Sequence, residues 1–194
     1  MTAVSDVPAQ LAFCESINDQ RLTRALSQMR KGQRRFVRLL PTLLSINHAR
    51  VPGYVSADAC GGIQGFIPDK ASLDSLNLCF DAAIKPAHQL ARHAISSLAL
   101  MGSAGSVAHG PNSDLDLWIV HRPGLNDNDR TSLKRRLAGI GLWAELSGLK
   151  LQCFWWTPRI SPVKPASPGC QSLCCWTSFI APQLSWPGAC PPAG

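Results

Sequence analysis

Two carboxylates, Asp114 and Asp116, stand inside a run that is otherwise apolar: Leu115, Leu117, Trp118, Ile119 and Val120. Side chains alternate across a strand, so residues two apart share a face. Asp114 and Asp116 therefore point one way, and Leu115 and Leu117 point the other way, into a core. A strand of this kind needs one covered face and one face open enough to keep two charges wet, paired or bound to a cation. Adjacent carboxylates repel one another and together suit a hard divalent cation such as Mg²⁺. Gly102-Ser103 lies ten residues upstream, at the end of a second strand-like run over 95–101. A Gly-Ser turn lets backbone approach a ligand closely, and its amides and hydroxyl can hold phosphate oxygens. A lone Asp-x-Asp is most often an exposed strand end. The turn, the spacing and the apolar flanks point instead to a site for a nucleoside triphosphate with its metal, since Mg²⁺ usually binds through one or two carboxylates plus substrate phosphates.

The elements around this pair read as follows. Residues 1–14 are expected to be disordered. Residues 15–40 have helical spacing with a break near Gly32. The stretch from Pro41 to about residue 70 is rich in Pro and Gly and reads as a loop. His48 falls in it and is expected to be hydrogen-bonded within the loop rather than catalytic. Residues 72–93 are helical in pattern, interrupted at Pro86. Strands follow at 95–101 and 114–120. Asp127 and Asp129 open a helix that Gly148 closes, and 149–156 has the length of a third strand. Strand, loop, strand, helix, strand is an α/β or α+β order, and the chain has no internal repeat.

Net charge is +7. Much of the excess sits in Arg30, Lys31, Arg34, Arg35 and Arg38. Such a run can contact nucleic acid or lipid, but is more often a solvated helix face, and that is the expectation here. No run of 18 apolar residues exists, so no membrane span is expected. The first residues lack a basic segment followed by an apolar core, so no signal peptide is expected. Both place the chain in the cytoplasm with reduced thiols.

The chain changes character near residue 150. All twelve acidic residues precede it. The 44 residues after it hold five cysteines, eight prolines and four tryptophans, with Arg159 and Lys164 as the only charges. The cysteines lack zinc-finger spacing, and neither linkers nor disordered segments have this composition. A shifted reading frame accounts for it better than the alternative, a genuine Cys-, Pro- and Trp-rich tail that is disordered or sticky. Residues 174–182 can be written in codons whose frame, begun at the third base, reads Leu-Leu-Asp-Glu-Phe-His-Arg-Thr, a charged, helix-like segment. Residues 151–194 are therefore expected to be an irregular, out-of-frame tail.

The Gly-Ser turn and Asp-x-Asp strand resemble the nucleotidyltransferase fold of the DNA polymerase β type. Three blocks, LLPTLLSINHARVPGYVS (39–56), GGIQGFIPDKASL (61–73) and LALMGSAGSVAHGPNSDLDLWIVH (98–121), further resemble the N-terminal part of the class I bacterial adenylate cyclases over residues 15–150. That resemblance implies an α+β domain with a small mixed sheet and flanking helices, preceded by an N-terminal helical segment. It implies conversion of ATP to 3′,5′-cyclic AMP and pyrophosphate. Gly102, Ser103 and Ser113 would bind the triphosphate, and Asp114 and Asp116 would be the catalytic ligands of Mg²⁺. In a two-metal arrangement one ion activates the ribose 3′-hydroxyl and the other stabilises the leaving pyrophosphate.

Family members are several times longer, with a C-terminal regulatory part that is missing here. A third carboxylate is expected at 149–157, where this chain has no acid. Activity of the chain as it stands is therefore expected to be slight. The alternatives are another nucleotidyltransferase, acting on a small molecule or nucleic acid, and a non-catalytic basic module. No specific nucleic-acid partner is expected.

Overall fold

A computed structural model of the chain describes residues 7–157 apart from 105, 107, 108 and 111. Four helices and a four-stranded mixed sheet make an α+β domain. Of the tail expected to be irregular, residues 151–194, the first six are regular, since Leu151–Trp156 form a strand paired in the sheet, and those from 158 onward lie outside the described residues.

Helix α1, Val7–Gln28, begins eight residues before the expected start at 15, so 7–14 are helical where disorder is expected. It is anchored only near its end, by buried Ala25 and Leu26 and by Met29 just beyond. The chain then breaks at Met29–Arg30 and restarts as α2, Lys31–Ser45. Gln33 caps the new helix by accepting from the Arg30 backbone N–H at 2.9 Å.

The loop expected from Pro41 is not there: α2 runs on through Pro41 to Ser45. A proline inside a helix costs about 3 kcal/mol. Burial of Leu39, Leu40, Leu43 and Leu44, at roughly 1.5–3 kcal/mol each, outweighs it.

A short strand, β1, Gly61–Ile63, follows the irregular segment. Helix α3, Lys70–Phe80, starts where the Asp69 side chain accepts from the Ser72 amide at 2.6 Å. It ends ahead of the expected Pro86. Asp81 adopts a left-handed conformation (φ 45°), and the Asn77 side chain bonds both the N–H and the carbonyl of Ile84. Pro86–His88 is a single 3₁₀ turn.

Strand β2, His93–Met101, and β3, Leu115–His121, pair antiparallel, with Met101 opposite Asp116 and Ala99 opposite Trp118. Helix α4, Asp127–Leu146, is capped by Asn126, which accepts from the Asp129 amide at 2.7 Å, and Gly148 closes it at φ 75°. Strand β4, Leu151–Trp156, lies parallel to β3, with Gln152 opposite Asp116. The sheet order is β1-β2-β3-β4.

Leu115, Leu117 and Ile119 are fully buried in one core with Phe36, Leu43, Leu44, Leu133 and Ile140. The helices thus cover one face of the sheet. Arg136 of α4 crosses this core with no exposed surface. It donates to the carbonyls of Leu43, at 2.8 Å, and Ile46, at the C-terminal end of α2. That end carries the negative pole of the helix dipole. Burial still pulls the Arg136 pKa down to about 10.

Candidate functional site

The face of the sheet that no described helix covers carries the polar site. Asp116 lies in β3 and Asp114 one residue before it, and alternation sets both on the face away from Leu115 and Leu117. Both carboxylates are half-buried. Asp114 Oδ2 accepts from Gln152 Nε2 at 3.0 Å.

Gly102 follows β2 directly, with φ 69°. A Cβ placed on it would lie 2.5 Å from Asp116 Oδ2. The turn and the carboxylate therefore touch, and only glycine permits it. Ser103 is the next residue of the same turn, and its carbonyl accepts from the amide and hydroxyl of Ser106 at 2.9 and 2.8 Å. Ser113 is tied into the loop, its hydroxyl accepting from the Gly110 amide at 2.9 Å. The Arg30 guanidinium reaches this loop from the start of α2 and donates to Asn112 Oδ1 at 3.2 Å. The structure thus brings Gly102 into contact with Asp116, with Ser103 next in the turn and Asp114 on the same face, whereas the Ser113 hydroxyl bonds within its own loop.

Two residues of this region escape a reading of the sequence. Gln152 sits on β4 at the place expected for a third carboxylate, opposite Asp116 in register. Its only sequence signal is a lone amide in an apolar and aromatic strand. Arg30 belongs to a basic run, and nothing local ties it to Asn112, 82 residues away. Among the described residues no cluster of three or more His, Cys, Asp or Glu could hold a metal. Two carboxylates beside a Gly-Ser turn still fit one Mg²⁺ whose remaining ligands are water and phosphate.

Further along the same face, Trp118 stacks on Phe154 with ring centroids 5.7 Å apart. His48 stays in its loop as expected. Its Nδ1 accepts from the Arg50 amide at 3.3 Å, and its ring meets His88 edge-on at 4.9 Å. Partial burial, then His88 and Arg50, hold its pKa below the usual histidine value. No helix among the described residues is long and apolar enough to cross a membrane.

Residues 8–160 match the family model for the adenylate cyclase NT domain. The chain is similar to the adenylate cyclase of Shigella flexneri, 32% identical over 145 residues, which covers 72% of this chain and 17% of that protein. The likeness to the adenylate cyclase of Escherichia coli (strain K12) has the same identity and coverage. That of Yersinia pestis is 30% identical over 145 residues. The chain thus spans about 17% of the length of the curated relatives it matches. No solved structure matches it.

Proposed function

The chain belongs to the adenylate cyclase N-terminal domain family, and on that premise we propose that it carries the Mg²⁺–ATP-binding part of an adenylate cyclase. The reaction is intramolecular phosphoryl transfer, ATP to 3′,5′-cyclic AMP and pyrophosphate, on a nucleotidyltransferase-like sheet. The contact of the Asp116 carboxylate with Gly102 carries this reading. It brings a phosphate-holding turn and a metal-binding carboxylate within one ligand's reach.

In this reading the Gly102 and Ser103 amides and the Ser103 hydroxyl hold triphosphate oxygens. Ser113 supports the loop that carries Asp114. Asp114 and Asp116 hold the cation, which when bound neutralises charge on the triphosphate. The protein contributes position and charge and supplies no nucleophile. Gln152 leaves the donor set one carboxylate short of a two-metal site, so the 194-residue chain binds nucleotide but cyclises it poorly. The acidic residues that the family requires beyond residue 150 lie in another reading frame, and the regulatory part follows in that frame. The reaction belongs to the cytoplasm, where ATP is available and the four described free thiols, Cys14, Cys60, Cys79 and Cys153, stay reduced.

Labelled ATP and Mg²⁺ test the reading by product. A gene restored to the continuous frame should form cyclic AMP, and the present chain almost none. Asp114→Asn or Asp116→Asn should abolish the restored activity with the circular dichroism spectrum unchanged. Ser103→Ala should be milder, because backbone amides remain. Transfer of a nucleotide to another acceptor, with no cyclic product, would overturn it.

A further inference from the structure

Between α2 and α3 lies an open groove of about 550 Å³ lined by Lys31, Arg34, Arg35, Arg38, Leu39 and Ser75. The four cations recur at i, i+3, i+4 and i+7, so they share one side of α2 over about 10 Å of helix. The carboxylates Asp114 and Asp116 belong to the opposite face of the sheet, which no described helix covers.

Three observations set this stripe apart from an ordinary solvated helix face. Among the described residues none of the four cations is in an ion pair; the three pairs are Arg50–Asp81, Arg92–Asp129 and Arg130–Asp127. The stripe fills the first two turns of α2, which have no acidic residue in the first turn. This is the end where the helix dipole disfavours cations. Arg34 is half-buried: its Nη2 donates to the Met29 carbonyl at 3.1 Å, while its Nε is buried with no hydrogen-bond partner. Like charges at these spacings also lower helix stability. The arrangement is unfavourable in the free chain, and a bound anion would relieve it.

We infer that this groove binds a small compound carrying two or more phosphate groups. Its volume lies in the range of small-molecule sites, about 300–1,000 Å³. Guanidinium forks match phosphate oxygens in pairs. Ser75 of α3 bounds the open groove on one side, and the four cations span only about two turns of α2, which suits a compact anion rather than the long track that a nucleic-acid strand follows. The inference stands apart from the reaction proposed above and does not depend on it.

The test is calorimetric titration of the 194-residue chain with inorganic tripolyphosphate in the absence of Mg²⁺. One site is expected, weakened by salt. Affinity should fall about tenfold or more in Arg35→Gln/Arg38→Gln, since two charge-assisted contacts are lost. It should be unchanged in Lys134→Gln, an exposed cation of α4 outside the groove. The arginine variant should melt at or above the parent temperature without ligand, because repulsion is relieved. Lys31→Gln, on the exposed rim, should show the same loss in smaller degree and serves if the double variant does not fold. Affinity unchanged in both the arginine double variant and Lys31→Gln, or reduced as much by Lys134→Gln, would overturn the inference. So would failure of tripolyphosphate to bind while single-stranded RNA or anionic vesicles bind through these arginines.

Discussion

The Asp116 carboxylate occupies the space that a side chain on Gly102 would need: a Cβ there would stand 2.5 Å from Asp116 Oδ2, at a backbone φ of 69°. Gly102→Ala should therefore do two separable things. The left-handed backbone should cost about 1–2 kcal/mol of stability, and the carboxylate, at the free end of its side chain, should swing away from the turn. Gly124 has φ 81° and nothing within 4 Å of its added Cβ, so Gly124→Ala should show the strain alone. Chemical denaturation of both variants, with Mg²⁺-dependent ATP binding as the second readout, separates the effects. Equal binding by the two would show that the Gly102–Asp116 contact has no part in the site.

Gln152→Glu puts a carboxylate where Gln152 Nε2 now donates to Asp114 Oδ2. Without metal the variant should melt lower, because a hydrogen bond becomes a like-charge contact. A loss of about 1 kcal/mol corresponds to roughly 2–4 °C at this chain length. With millimolar Mg²⁺ its melting temperature should rise by more than that of the parent, because ligand binding to the folded state adds stability. A metal response no larger than the parent's would place Gln152 outside the ion's reach.

Arg136 bonds the carbonyls of Leu43 and Ile46 from a fully buried position. Arg136→Met should destabilise the domain by about 1–3 kcal/mol, the cost of leaving buried acceptors unpaired. Arg136→Lys should recover only part of this, since one ammonium cannot reproduce the two-carbonyl geometry. Urea unfolding reads both, and a neutral Arg136→Met would remove the tie between α4 and the end of α2.

His48 should titrate below 6.5, chiefly from partial burial and then from His88 and Arg50. The unfolded chain then takes up this proton first as pH falls. The contribution to stability is full above the unfolded value and declines as pH drops from there toward the folded value. Imidazole chemical shifts followed against pH should give the lowered midpoint in the parent and a higher one in Arg50→Gln. A parent midpoint at or above 6.5 would contradict the geometry.

The strand pair and its faces were legible because a period of two with buried Leu115 and Leu117 leaves the aspartates only one place to go. Both ends of α4 were legible through the Asp127 and Asp129 opening and the Gly148 close. Pro41 misled because its local cost is visible in sequence, whereas the burial that offsets it is not. Strand β1 was missed because Gly61-Gly62-Ile63 has no strand propensity. Gly61 stands there since Leu90, the Leu44 carbonyl and Arg136 crowd the space of a Cβ. Gln152 and Arg30 acquire their places only through register and tertiary approach, which no local pattern encodes.

The family match runs to residue 160, ten beyond the change in composition, so a frame change should lie within β4 or just after it. Phe154-Trp155-Trp156-Thr157, read from the third base of the Phe154 codon, gives Leu-Val-Asp whatever synonymous codons are used. The gene should therefore continue open in that frame past codon 194. Early stops in it, found by sequencing the region, would end the frameshift account.

Paramagnetic broadening by Mn²⁺ tests most directly whether Asp114, Asp116 and the Gly102 turn hold a metal–nucleotide complex. In the 194-residue chain with ATP, substoichiometric Mn²⁺ should broaden the amide signals of Gly102, Ser103 and Leu115 to Leu117 first, and Asp116→Asn should lose that broadening while keeping its fold. Broadening centred elsewhere, or unchanged in Asp116→Asn, would contradict the assignment of the site.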